Sequence, residues 1–82
     1  MEHVGTVRRL KPFELDRFAA TDAAGVTYMV VRICHPFRVL EVAGWSDVQH
    51  TDISLSADGI EVTISPDGSL ELQTNPPTPL RR

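Results

Sequence analysis

A chain of 82 residues has room for one domain, and 41% hydrophobic with 23% charged residues excludes wholesale disorder. The single cysteine, Cys34, excludes an internal disulfide and a four-thiolate metal site. The formal net charge of −3 argues against a nucleic-acid binder, whose surface is expected to be basic.

The amino-terminal segment is not typical of a targeting sequence. Residues 1–5 have neither a basic start nor an apolar core, so they do not predict a secretory signal. The apolar runs of the first half are far shorter than the roughly 20 residues of a membrane span. Together with the lone cysteine, these features predict a cytoplasmic protein without membrane association.

Two strands are predicted in the first half of the chain. Residues 26–34 are rich in β-branched side chains and apolar on both faces up to Arg32, which favours a central strand packed on two sides. Turn residues occupy positions 21–25, so residues 13–20 are predicted to form the preceding hairpin strand. A helix over residues 13–20 is the alternative, because alanine is a good helix former.

Residues 35–50 are compatible with two interpretations. Pro36 at a start and Gly44 just after an end fit the proline–glycine asymmetry of a helix. The intervening residues 37–42, Phe-Arg-Val-Leu-Glu-Val, have strong β propensity instead. We favour a strand over residues 36–44 and keep the helix as the alternative.

The second half has the clearest strand pattern. Residues 52–56, 60–65 and 70–73 alternate apolar and polar side chains, which is typical of strands with one buried face. The turn residues Asp58-Gly59 and Pro66-Asp67-Gly68 separate them. The pattern predicts a three-stranded meander, and the apolar run of the first half is expected to cover its apolar face.

The complete fold is predicted to be mainly β, within a single domain that spans residues 1–82. We expect an antiparallel meander of five or six strands that forms a rolled sheet or small barrel, with at most one short helix. Residues 75–82 contain three prolines, which predict an extended or frayed tail.

The turn residues of the second half carry a resemblance. Ala57-Asp58-Gly59, then Asp67-Gly68 and a terminal Leu80-Arg81-Arg82, resemble the C-terminal layout of small uncharacterised bacterial β-rich proteins. The resemblance consists mostly of turn chemistry, so it implies no activity and assigns no site residue.

No constellation of residues predicts an enzyme. Cys34 and His35 are neighbours on a strand, so their side chains point to opposite faces and are badly placed to pair as nucleophile and base. Ser46, Asp47 and His50 lack the strained turn and the oxyanion donors that a catalytic serine needs. We therefore predict neither catalytic residues nor a cofactor.

A small metal- or ligand-binding domain is the alternative function. It would be centred on Cys34, His35 and His50, with Asp47 and Asp52 as further oxygen ligands. Their spacing matches no compact zinc motif, so the sequence predicts no metal site.

The uneven charge distribution favours a protein-interaction function. Residues 39–80 carry seven acidic side chains and no lysine or arginine, whereas residues 1–38 are net basic. We predict a non-enzymatic interaction or regulatory module, with an acidic-surface inhibitor of phage type as one form of it. The candidate interaction residues are Trp45, Asp47, Asp52, Asp58 and Glu61. A tryptophan packed over one end of the sheet is the alternative to an interface anchor.

The expected partner is another protein, basic in character. Open sheets have edge strands that pair with other chains, so a homodimer or a partner joined by strand addition follows. Nucleic-acid binding is the remaining alternative and would use the basic residues of both termini. These are Arg8, Arg9, Lys11, Arg81 and Arg82.

Overall fold

The computed structural model describes residues 2–82 and contains, within that range, nine strands and no helix. The strands are β1 (Val7–Arg9), β2 (Phe13–Thr21), β3 (Thr27–Cys34), β4 (Phe37–Glu41), β5 (Gly44–Trp45), β6 (Ile53–Ala57), β7 (Ile60–Ile64), β8 (Leu70–Leu72) and β9 (Thr78–Leu80). The all-β prediction is confirmed, and both helix alternatives, over residues 13–20 and 36–44, are wrong. No helix that could cross a membrane occurs in the described part of the chain.

Six strands form one antiparallel sheet in the order β2-β3-β6-β7-β8-β9, here named the rolled sheet. The sheet curls until its first and last strands meet at one point. There Thr21 donates a backbone hydrogen bond of 2.6 Å to Arg81, and Arg81 donates one of 2.8 Å back. The rest of β2 has no such pairing within residues 2–82, so the sheet is a half-barrel fastened at a single position.

The hydrophobic core lies on the concave face of the rolled sheet. Because side chains alternate along a strand, apolar positions of the meander face inward, and Ala57, Val62, Leu70 and Leu72 pack with Ala20 of β2 and Val30 of β3. The buried members of this cluster are Ala20, Val30, Ala57, Val62, Leu70, Leu72 and Leu80. Curling thus covers the apolar face of the meander with the first-half strands, as predicted.

The outer face of β3 remains in solvent. Val30 is fully buried on the inner face, whereas its neighbour Met29 is 47% exposed on the outer one. A single rolled layer buries only its inner face, so the expected packing of this strand on two sides is wrong. Its central position, between β2 and β6, is confirmed.

The predicted turns adopt the conformations that their residues favour. Asp58 and Gly59 both have positive φ, 52° and 77°, and link β6 to β7 as a two-residue hairpin loop. In the next loop Gly68 takes φ 86° and donates a hydrogen bond of 2.8 Å to the carbonyl of Ser65. These loops fix the register that places the apolar residues of β7 and β8 on the inner face.

The carboxy-terminal tail is extended rather than frayed. Residues Thr78–Leu80 pair with β8, and Leu80 is only 4% exposed. Backbone N–H and C=O groups alternate between the two edges of an antiparallel strand, so residues 79 and 81 direct theirs to the same edge. Arg81 directs its backbone groups outward to Thr21, which shows that this is the edge away from β8. The missing N–H of proline therefore lies on the outer edge and breaks no bond to β8.

The remaining three strands form a second antiparallel sheet in the order β1-β4-β5, here named the small sheet. Strands β1 and β4 continue the β2–β3 hairpin past Pro12 and Pro36, so one long bent ribbon passes through both sheets. The molecule is accordingly elongated, with extents of 53 × 22 × 22 Å. Its radius of gyration is 16.5 Å, against about 12 Å for a compact chain of this length.

Candidate functional site

The acidic residues predicted for interaction do not converge on one surface. Asp52 and Asp58 flank the five-residue strand β6 at opposite ends, which separates them by roughly 20 Å. Glu61 lies on β7, and Asp47 follows the small sheet. Asp52 is also already paired, because Arg9 Nη1 lies 2.6 Å from its carboxylate.

Trp45 packs against the small sheet. It lies opposite Leu40 in the register of β4 and β5, and the Arg8 guanidinium lies 4.2 Å from the centre of its ring. The side chain is half-buried. This arrangement is the packing role that we set against an interface anchor, and the role of Trp45 in binding stays a prediction.

The three residues of the metal or ligand alternative lie near the junction of the two sheets. Cys34 is 1% exposed, with its Sγ 3.9 Å from the backbone carbonyl of His50. His35 Nε2 lies 2.7 Å from the hydroxyl of Ser54. The His50 ring stands edge-on to Phe13. Residues 2–82 hold no group of three or more potential metal-ligating side chains, and the alternative stays a prediction.

The basic residues of the two termini form two separate patches. Arg8, Arg9 and Lys11 precede β2, whereas Arg81 lies beside Thr21 at its other end. Nine residues of extended strand separate them by about 27 Å. A single phosphate-binding patch built from both termini is therefore not formed.

A feature that the sequence did not indicate is the open edge of β2. One edge of this strand pairs with β3 along its length, whereas the other is bonded only at Thr21 within the described chain. Backbone groups alternate between the two edges of an antiparallel strand. Because Thr21 points outward to Arg81, Arg17 and Ala19 also direct their N–H and C=O groups outward.

A groove with both apolar and charged lining residues lies directly below this open edge. It has a volume of about 280 Å³ and occupies the gap between β2 and the start of β8. Its apolar lining residues are Phe18, Leu55, Ile64 and Leu70. Ile64 remains 52% exposed, so the groove is open to solvent and accessible to a side chain from another molecule.

The rim of the groove is basic. Arg32 donates two hydrogen bonds, of 2.7 and 3.3 Å, to Asp16, and this pairing raises the pKa of its guanidinium. Arg17 is likewise paired with Glu14, which raises its pKa. The guanidinium of Arg82 lies 3.7 Å from the centre of the Phe18 ring. Two of these arginines are thus paired with carboxylates, and the third lies against an aromatic ring.

The basic rim contrasts with the remainder of the rolled sheet. Residues 13–34 and 53–82 carry four basic side chains. Arg32 and Arg82 line the groove with Asp16, whereas Arg17 and Arg81 lie on the convex face of the sheet. Neither Arg81 nor Arg82 forms an ion pair with a side chain of the described residues. In addition to Glu14 and Asp16, a third carboxylate, Asp22, follows Thr21 and lines a pocket together with Arg81. The other four acidic residues of the rolled sheet are Asp58, Glu61, Asp67 and Glu71.

Comparison with known proteins identifies no relative of this chain. No family model, no curated protein and no solved structure matches it. The resemblance to small bacterial β-rich proteins stays a prediction, and the site has to be interpreted from its own geometry.

Proposed function

We propose that this protein is a non-enzymatic interaction module that binds an extended segment of another protein by strand addition along the open edge of β2. The observation that supports this most directly is the outward direction of the backbone groups of Arg17 and Ala19. Thr21 alone has a strand partner on that edge within residues 2–82. Unpaired edges act as templates for a further strand, which is a common mode of peptide recognition.

Other features of β2 restrict pairing to a short segment. The register with β3 shifts between Glu14 and Asp16, which marks a bulge at the amino-terminal part of the strand. Bulges and charged side chains limit indiscriminate edge pairing. The regular part of the edge, residues 16–20, is therefore the segment that is available to a partner.

A second copy of this chain is the competing partner. A register of two β2 strands centred on Arg17 would place two arginines directly opposite each other, and like charges at such positions are destabilising. A register centred on Phe18 would instead pair Arg17 of one copy with Ala19 of the other. Self-association would in addition depend on protein concentration, so the two partners are experimentally distinguishable.

Amide hydrogen exchange tests the proposed edge. A short peptide of alternating threonine and valine, added in excess to the full chain, is expected to slow exchange at Arg17 and Ala19. The amides of Phe18 and Ala20 are the internal controls, because they already bond to β3 and should change little. Unchanged exchange at Arg17 and Ala19 with every peptide would exclude strand addition at this edge.

The variant Ala19→Pro removes the outward donor itself. Proline at an outward edge position leaves the bonds to β3 intact, as Pro79 does in β9, so the fold should be retained. Peptide binding should be lost in this variant, whereas Ala19→Thr, which keeps the N–H, should still bind. Protection that increases with protein concentration in the absence of peptide would identify a second copy as the partner.

A further inference from the structure

We infer that the groove below the open edge selects the partner by its side chains: it takes one aliphatic side chain from an added strand in which acidic residues flank that position. This inference rests on the proposed strand addition and specifies the chemistry of the partner segment. It follows from the face of the sheet to which each partner side chain points, from the lining of the groove and from the distribution of charge around it.

The alternation of side chains between the two faces of the sheet determines which partner side chain enters the groove. Directly opposed residues of an antiparallel pair place their side chains on the same face of the sheet. Thr21 is paired with Arg81, so Arg82 occupies the position beside Ala20, and the positions opposite Ala19, Phe18 and Arg17 have no strand partner among residues 2–82. Phe18 faces inward, and the residue opposite it therefore points into the groove.

The apolar part of the groove matches an aliphatic side chain in size. Phe18 and Leu70 contribute apolar walls on either side, with Leu55 beneath them. Three charged side chains, Asp16, Arg32 and Arg82, also line the groove, and the Arg82 guanidinium lies 3.7 Å from the centre of the Phe18 ring. A volume of about 280 Å³ accepts one leucine, isoleucine or valine side chain, and burial there removes exposed apolar area of Ile64 from water.

The flanking positions face a basic surface. Partner residues opposite Ala19 and Arg17 point to the convex face, on the same side as Arg17 and Arg81. On this face Arg17 is paired with Glu14, whereas Arg81 has no ion-pair partner among the described side chains and lines a pocket with Asp22. Carboxylates at both flanking positions would balance this charge, whereas lysines there would add to it.

Peptide competition measures the two requirements separately. Four peptides with the cores Glu-Leu-Glu, Glu-Ser-Glu, Thr-Leu-Thr and Lys-Leu-Lys, in the same threonine–valine frame, are titrated into the full chain by calorimetry. Replacement of leucine by serine is expected to weaken binding by about tenfold or more, from the lost apolar burial. Replacement of glutamate by lysine should weaken it by a similar factor, and affinity for the acidic peptide should fall with added salt.

Matched variants of the protein test the same assignment. Ile64→Thr in the groove should weaken the Glu-Leu-Glu peptide, whereas Met29→Thr, at a similarly exposed site on the outer face, should not. Arg81→Gln and Arg82→Gln should reduce the preference for acidic peptides, whereas Arg38→Gln in the small sheet should leave it unchanged.

The outcomes separate the inference from the function on which it rests. Binding of Glu-Leu-Glu ahead of the other three peptides, with protection at Arg17 and Ala19, supports both. If all four peptides bind with equal affinity and protect the amides of Arg17 and Ala19, the inferred selectivity is wrong and strand addition is still supported. If no peptide protects these amides, strand addition and the inferred selectivity both fail.

Discussion

The two sheets of this molecule are built from similar β-rich sequence, but only one of them encloses a core. Every fully buried hydrophobic residue of the described chain lies in the rolled sheet. In the small sheet, β1 is exposed throughout, and Phe37, Leu40 and Trp45 are only half-buried. The difference shows that curvature, rather than strand propensity, determines where a single layer of strands buries its apolar side chains.

The small sheet is held mainly by its backbone ladder and by polar contacts. Gly5 donates a hydrogen bond of 2.8 Å to the carbonyl of Leu40, and the guanidinium groups of Arg8 and Arg9 lie over Trp45 and Phe37. Such contacts contribute less than core burial. We therefore expect the small sheet to open at a lower free energy than the rolled sheet.

The aromatic composition makes this comparison measurable. The chain has one tryptophan, which lies in the small sheet, and one tyrosine, Tyr28, which packs against the core of the rolled sheet. Tryptophan fluorescence and the tyrosine signal therefore report on different regions. Non-coincident unfolding curves would reveal separate opening of the small sheet.

Leu72→Ala should have the largest effect. Leu72 is 1% exposed in the centre of the core, and truncation of such a side chain costs about 2–5 kcal/mol. A chain of 82 residues has a total stability of roughly 4–12 kcal/mol, so urea denaturation should show a large shift of both signals. Leu40→Ala is the matched control and should shift mainly the tryptophan signal. A small effect of Leu72→Ala would contradict the location of the core.

Gly44→Ala should separate the unfolding transitions of the two sheets. Gly44 has φ 120° at the turn between β4 and β5, a conformation that a residue with a Cβ reaches at a cost of about 1–3 kcal/mol. The tryptophan transition should move to lower urea, whereas the tyrosine transition should stay in place. Equal shifts of both transitions would mean that the two sheets unfold as one cooperative unit.

Arg8→Gln should weaken the small sheet by a smaller amount. Loss of the contact with Trp45 is expected to cost about 0.5–1 kcal/mol, because the arginine is largely exposed. Hydrogen exchange at the β1–β4 ladder should become faster, with little change in the core amides. Lys11→Gln, a nearby charge without an aromatic contact in the described structure, is the control, and an equal effect of both would exclude a role for the cation–π contact.

The smallest effect concerns alkaline pH. Burial, followed by the nearby carboxylate of Asp22, raises the pKa of Tyr28 above its ordinary value. The contribution of the neutral Tyr28 side chain to the free energy of unfolding is fully present below the ordinary tyrosine pKa. It is lost as pH rises through the raised pKa of the folded chain. Tyrosinate absorbance should therefore titrate at higher pH in the folded chain than in urea. Tyr28→Phe should remove this alkaline loss of stability, and a coincident titration in both states would contradict the shift.

Local residue patterns were sufficient to predict most of the rolled sheet. Alternation at 60–64 and 70–72, with Asp58-Gly59 and Gly68 in the turns, encodes strands and loops within a few positions of each other. The β-branched run at 26–34 likewise identified the central strand.

The features that the sequence did not predict depend on distant residues. Arg9 and Asp52 are 43 positions apart, so the pairing that neutralises this candidate interaction residue has no local signal. The open edge of β2 results from the single meeting point of Thr21 and Arg81. The direction in which the ribbon bends past Pro12 and Pro36 depends on how its two strands pair.

The fastening of the rolled sheet at Thr21 and Arg81 has a kinetic consequence. An incoming strand beneath this point would extend an existing ladder instead of nucleating a new one, so its first hydrogen bonds would form beside a bonded neighbour. The fixed starting point also defines direction: a segment would dock antiparallel to β2, from Ala19 toward Asp16.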